Sequence, residues 1–133
     1  MGRRVRLLLD THVLLWAWRD PARLSTTARE LIEDASVELL VSASSAWEIA
    51  TKHRLGKLPD ATPIVLSYER NLDQLGAHEL PISSRHALAA GDLAWDHRDP
   101  FDRILAAQSI LDGLPLVTGD AAFASLGGLH RVW

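Results

Sequence analysis

The sequence predicts an α/β domain: three layers, α/β/α, around a central parallel sheet of about five strands. Three observations lead there. Short apolar runs alternate with helical patterns along the whole chain. Such alternation implies crossover connections, and crossovers make neighbouring strands parallel. The strand candidates are near-continuous apolar runs rather than in–out alternations, as expected of strands covered on both faces.

The elements follow in order. Val5–Leu9 is the first strand, running into Asp10. His12–Trp18 follows as a helix, apolar almost all round and so buried on more than one side, with Asp10 or Thr11 at its cap. Ser25 caps a second helix over Thr26–Asp34, and Glu38–Ser42 is the second strand. Ser44 or Ser45 starts a third helix that runs through Leu55 to a stop at Gly56. Pro63 opens a fourth, continuous to Leu75, before a strand at Ala77–Leu80. Ser83 or Ser84 begins a fifth, to about Ala90. Asp99-Pro100 then marks a helix start with proline at its first position, and that helix runs to Asp112 and ends at Gly113. Leu116–Thr118 and Leu129–Val132 complete the strands.

Size and composition narrow the function. The 133 residues, 47% hydrophobic and 23% charged, can build one real core, so residues 1–133 are expected to form a single domain. No apolar run approaches the roughly 20 residues that span a bilayer. The run after the MGRR start is too short for an export signal and is interrupted by Asp10. The expectation is a cytoplasmic protein with no membrane partner. With no cysteine, disulfides and thiolate metal sites are excluded. The net charge of −3 gives no general support for nucleic-acid binding, although a bound divalent metal and local arginines can reverse the sign of one cleft.

In a parallel sheet, ligands bind beyond the carboxyl ends of the strands. Four acids fall there: Asp10 after the first strand, Glu48 early in the third helix, Asp102 in the first turn of "DPFDRILAAQ", and Asp120 after "PLVTGD". Each has a plainer alternative. Asp10, Asp99 and Asp120 could be helix caps. Glu48 could pair with Lys52 four residues on, and Asp102 could form a reciprocal cap with Asp99. Capping does not, however, require acids from separate segments to converge on one sheet edge. Convergent carboxylates repel unless a cation joins them, and an oxygen-only set suits Mg²⁺, with Mn²⁺ as substitute, rather than Zn²⁺. Such an ion suits phosphodiester hydrolysis. Thr11, Thr118 and Asp99 flank the acids and are candidates to orient them from behind. His97 lies close enough to Asp99–Asp102 to touch a substrate, or is a solvated loop histidine.

These residues carry a resemblance. "LLLDTHVLLW", "VSASSAWEIATKHRLGKL", "HRDPFDRILAAQS" and "LPLVTGD" resemble, in order and over most of the chain, PIN-domain ribonucleases and in particular the VapC toxins of toxin–antitoxin pairs. The resemblance implies a PIN-like fold with a parallel five-stranded sheet. It implies that Asp10, Glu48, Asp102 and Asp120 are the catalytic, metal-holding acids, with Asp99 a cap or an outer partner of the metal. It also implies a Mg²⁺- or Mn²⁺-dependent endoribonuclease that cuts structured RNA such as tRNA or rRNA, forms a homodimer and is inhibited by a cognate VapB-type antitoxin.

Lys52, Arg98 and Arg103 are the leading candidates for RNA contact, with Arg54, Lys57 and Arg85 behind them. The five tryptophans divide between core and interface without a pattern that singles one out for stacking on a base. The competing readings are a phosphoryl-accepting receiver domain, an aspartate-nucleophile phosphatase, and a PIN-like RNA-binding or interaction module without a toxin role. A receiver wants paired acids after the first strand, and the phosphatase wants an acid two residues past Asp10, where His12 stands.

Overall fold

A computed structural model describes residues 4–133; Met1–Arg3, the basic lead of the sequence read as no export signal, lie outside the described residues. The sheet has five strands, β1 (Arg6–Leu9), β2 (Glu38–Ser42), β3 (Ala77–Leu80), β4 (Leu116–Val117) and β5 (Arg131–Val132). Their order is β3-β2-β1-β4-β5 and every pair is parallel. The helices are α1 (Thr11–Arg19), α2 (Thr26–Glu33), α3 (Ala43–Arg54), α4 (Thr62–Leu66), α5 (Tyr68–Leu75), α6 (Ser84–Asp92) and α7 (Pro100–Asp112).

Side-chain alternation along β1 explains the layers. Leu7 and Leu9 point to one face and join Leu39, Val41 and Val117 with Val13 and Leu14 of α1, Ala28 of α2 and Ile49 of α3. Leu8 points to the other face, with Leu40, Leu116, and Leu105 and Ala106 of α7. Both faces are apolar, so the strands read as runs. Because all strands are parallel, their carboxyl ends lie along one edge, and β1 and β4 are neighbours in its middle.

Several boundaries differ from the sequence expectation for identifiable reasons. The expected fourth helix over 63–75 is two helices. Ser67, at φ −117° and ψ 28°, leaves the helical region, yet its N–H still bonds Pro63 O and its C=O still receives Asn71 N–H. The apolar spacing runs on through that kink, so periodicity could not reveal it. The third helix starts earlier than expected, because Ser42 rather than Ser44 or Ser45 is the cap and its Oγ accepts from Ser44 N–H. Ser44 and Ser45 are buried inside the first turn instead. Two short 3₁₀ turns, Pro21–Arg23 and Ala121–Ser125, occupy segments read as loop. Strand β4 stops at Val117, which releases the Thr118 side chain toward the sheet edge.

Candidate active site

Each acid takes its place from the element that carries it. Asp10 follows β1 directly, its N–H held by Val117 O at 3.0 Å. It occupies the cap position of α1, but its side chain caps nothing. Instead Oδ2 accepts the Thr118 hydroxyl at 2.7 Å, and Thr118 Oγ1 in turn accepts Asp120 N–H at 3.0 Å. The plain capping alternative for Asp10 therefore does not describe this carboxylate. It is only 3% exposed, and that burial raises its pKa above the ordinary carboxylate value. The Thr118 hydrogen bond and the charge of His12 pull the other way, while the charge of Glu48 adds to the rise.

Glu48 is 2% exposed on α3. Its Oε2 pairs with Lys52 Nζ one turn on, while its Oε1 is buried with no hydrogen-bond partner. A buried, unpartnered carboxylate oxygen is costly. Thr11 Oγ1 shares a buried hydrogen bond of 2.8 Å with Ser45 Oγ, tying the start of α1 to the first turn of α3 and so fixing Asp10 relative to Glu48.

Asp102 lies in the first turn of α7. Its Oδ2 accepts His97 Nε2–H at 2.6 Å. Burial pushes its pKa up to about 6; the His97 hydrogen bond opposes the rise, and the charges of Asp99 and Asp10 reinforce it. Asp99 is the helix cap, its Oδ1 accepting from Phe101 N–H at 2.9 Å and Asp102 N–H at 3.4 Å. Asp120 is exposed at the end of β4, its Oδ1 capping the following 3₁₀ turn through Ala122 N–H at 2.9 Å.

The structure thus brings Asp10 within electrostatic reach of Glu48 on α3 and of Asp102 on α7. Asp120 stands on the same edge, joined to Asp10 through the Thr118 hydroxyl rather than carboxylate to carboxylate. Among the described residues one group of three has its ligating atoms all within 4.8 Å of one another, His97, Asp99 and Asp102, and Asp10, Glu48 and Asp120 lie outside it. His97 is therefore no free loop histidine. Its closeness to Asp99–Asp102 in the sequence marked it, but left a solvated loop histidine open as well, because the loop that carries it has no periodicity.

The basic residues divide. Arg98 is exposed and Lys52 is committed to Glu48. Arg103, expected at the RNA surface, is turned inward. Its guanidinium donates to Ala90 O at 2.8 Å, Leu93 O at 2.8 Å, Trp95 O at 2.9 Å and His97 O at 3.0 Å. A guanidinium has five N–H donors; one is spent on α6 at Ala90 and three on the 93–97 loop, so Arg103 leaves the set of phosphate contacts. Arg85 leans on Asp112 at 3.7 Å, on the α6–α7 side that His86 also clasps through Asp112 Oδ2 at 2.9 Å.

The donor set fits a hard divalent cation. It is carboxylate oxygen with one imidazole at its margin, one oxygen of Glu48 is orphaned, and burial leaves Asp10 and Asp102 reluctant to ionise without a positive neighbour.

The PIN domain family model matches residues 7–129. The chain belongs to the PIN-domain family. Among curated proteins it is 37% identical over 122 residues to Ribonuclease VapC22 of Mycobacterium tuberculosis (strain ATCC 25618 / H37Rv), covering 90% of each chain. Ribonuclease VapC16 of the same strain is 36% identical over 58 residues, 44% of this chain and 41% of that one. Among solved structures, DNA-bound VapBC from Salmonella typhimurium superposes with a TM-score of 0.72 at 17% identity, over 96% of this chain and 97% of that one. VapBC2 from Rickettsia felis, bound to a promoter DNA fragment, gives 0.68 at 14% identity, over 96% and 98%. At such identities the structural likeness establishes the fold.

Proposed function

We propose that the chain is a metal-dependent endoribonuclease, the toxin of a VapBC-type pair. It hydrolyses phosphodiester bonds of structured RNA, tRNA or rRNA, and thereby stops translation. The observation that carries the reading is the buried Glu48, with one oxygen unpartnered, within electrostatic reach of the buried Asp10 at the carboxyl edge of the sheet. Lys52 offsets only one oxygen of Glu48, so two neighbouring buried carboxylates support a bound cation. The kinship with Ribonuclease VapC22 supports the substrate class.

Asp10, Glu48, Asp102 and Asp120 would hold the ion, Mg²⁺ with Mn²⁺ as substitute. When bound, the ion supplies an acidified water and a positive charge for the phosphate oxygens. The protein's own residues do the positioning. Thr118 fixes one oxygen of Asp10. His97 orients Asp102, and Asp99 holds the helix start beneath it. Thr11 and Ser45 lock α1 against α3. Lys52 neutralises one oxygen of Glu48. Arg98 remains available for phosphate, and Asp120 is exposed where substrate would enter.

The same reading makes residues 1–133 one PIN domain that acts in the cytoplasm as a homodimer, silenced by a VapB-type antitoxin that covers the cleft. No helix among the described residues is long and apolar enough to cross a membrane. The test is cleavage of total RNA by purified protein with Mg²⁺ or Mn²⁺, with EDTA, and by Asp10→Asn. Cutting only by the metal-supplied wild type is expected. RNA binding without cutting by the wild type would refute the enzyme in favour of a binding module.

A further inference from the structure

The site has an aromatic neighbour that the chemistry above does not use. Trp47 immediately precedes Glu48 on α3 and is 60% exposed. Its ring meets Phe101 edge to face, with centroids 4.8 Å apart and planes at 77°. Phe101 immediately precedes Asp102 on α7. The two rings therefore link the helices that carry two of the acids, and each lies one residue from one of them.

The other tryptophans are occupied. Trp95 packs on Phe123 at 5.6 Å and donates to Ser125 Oγ. Trp18 meets Tyr68 edge to face at 5.7 Å. Trp16 lies against Trp133 at 6.0 Å and under the Arg23 guanidinium, while Trp133 covers Gly119. Trp47 alone combines a braced ring with a largely open surface. An exposed indole is apolar area left in water, a cost that a core role would have removed.

We propose that Trp47, braced by Phe101, is a stacking platform for an unpaired nucleobase flanking the scissile phosphate. This deepens the ribonuclease reading and rests on it. Along α3, Trp47, Ala50 and Arg54 share one exposed face, at spacings of three and seven residues. Ala50 puts no bulk over the ring, and Arg54 supplies a positive charge on the same strip for the next phosphate. Edge-to-face bracing fixes the indole while leaving its surface accessible, so little ring freedom is lost on binding. Every base has a π face, so the platform selects unpaired over paired nucleotides rather than one base over another. Paired bases already have both faces covered within a helix. The enzyme would thus favour loops and single-stranded segments at its cutting site.

The test uses full-length Trp47→Ala, Trp47→Leu and Trp47→Phe. Cleavage of a single-stranded oligoribonucleotide is measured with Mg²⁺, and binding of that oligonucleotide by anisotropy in an Asp10→Asn background. The same sequence as a duplex is the control, and sedimentation gives the oligomeric state. The Ala and Leu variants should raise KM and weaken single-strand binding by about tenfold or more, with kcat nearly unchanged. Phe should restore most of the loss, and duplex binding should not respond. Unaltered KM and binding in Ala and Leu overturn the proposal. So does an equal loss on duplex, or a change from dimer to monomer, which would assign the ring to an interface between copies. A wild type that binds RNA but cuts none would instead refute the ribonuclease reading, and the binding arm would still score the ring.

Discussion

Replacing Asp102 with asparagine sets the cost of a buried charge against its use. The carboxylate is 15% exposed and its pKa is pushed from the ordinary 3.8 to about 6, first by burial. A rise of about 2 units corresponds to roughly 3 kcal/mol of preference for the neutral form. The opposing effect, an anion at a helix start, is worth only about 0.3–1 kcal/mol. Burial therefore dominates, and without metal at pH 7.5 Asp102→Asn should be more stable than wild type by about 1–3 kcal/mol. The pH dependence fixes the sign. A raised folded-state pKa means stability that is full below 3.8 and lost as pH rises through about 6. The gap between variant and wild type should thus open from about pH 4 to about pH 6 and then stay level. Urea unfolding in EDTA across that range measures it. Mg²⁺ should then stabilise the wild type far more than the variant, and cleavage by the variant should vanish. A variant less stable than wild type at pH 7.5 in EDTA, or a gap that ignores pH, would refute the reasoning and make Asp102 a stabilising helix-start anion.

Two further substitutions probe the residues behind the acids. Thr118→Val keeps the shape but removes the hydroxyl donated to Asp10 and the acceptor of Asp120 N–H. It should cost about 1–3 kcal/mol in urea unfolding and depress cleavage, and unchanged values for both would deny the relay. Arg103→Lys replaces a planar fork that reaches four carbonyls with a single ammonium. Amide exchange in residues 93–98 should accelerate and stability fall by about 2–4 kcal/mol. In the uncharged Arg103→Gln the salt dependence of RNA binding should stay put, whereas a lost phosphate contact would reduce its slope by about 1.

Much of the fold is legible in local pattern because both sheet faces are apolar. Leu7, Leu8 and Leu9 serve different layers, yet all three are buried, so the run itself identifies a doubly covered strand. Asp99-Pro100 and Gly113 mark the ends of α7 with residues chosen by backbone geometry, and such choices are local. The break at Ser67 left no mark, since the residues on either side suit one helix as well as two. Arg103 misled for the opposite reason. An arginine beside an acid reads as solvated, and the carbonyls that claim it belong to a loop without pattern.

The sequence by itself determined the layers and the parallel sheet, because those depend on short-range periodicity, and it put Asp10 and Asp120 just past strands. Tertiary structure decided what each polar group touches. It gave Asp10 to Thr118 across 108 residues, Thr11 to Ser45 across 34, and left one oxygen of Glu48 without a partner. Such pairings carry no local signature. A hydrogen bond between residues far apart in the chain exists only because packing of the apolar faces brings their backbones together, and that is a property of the assembled core.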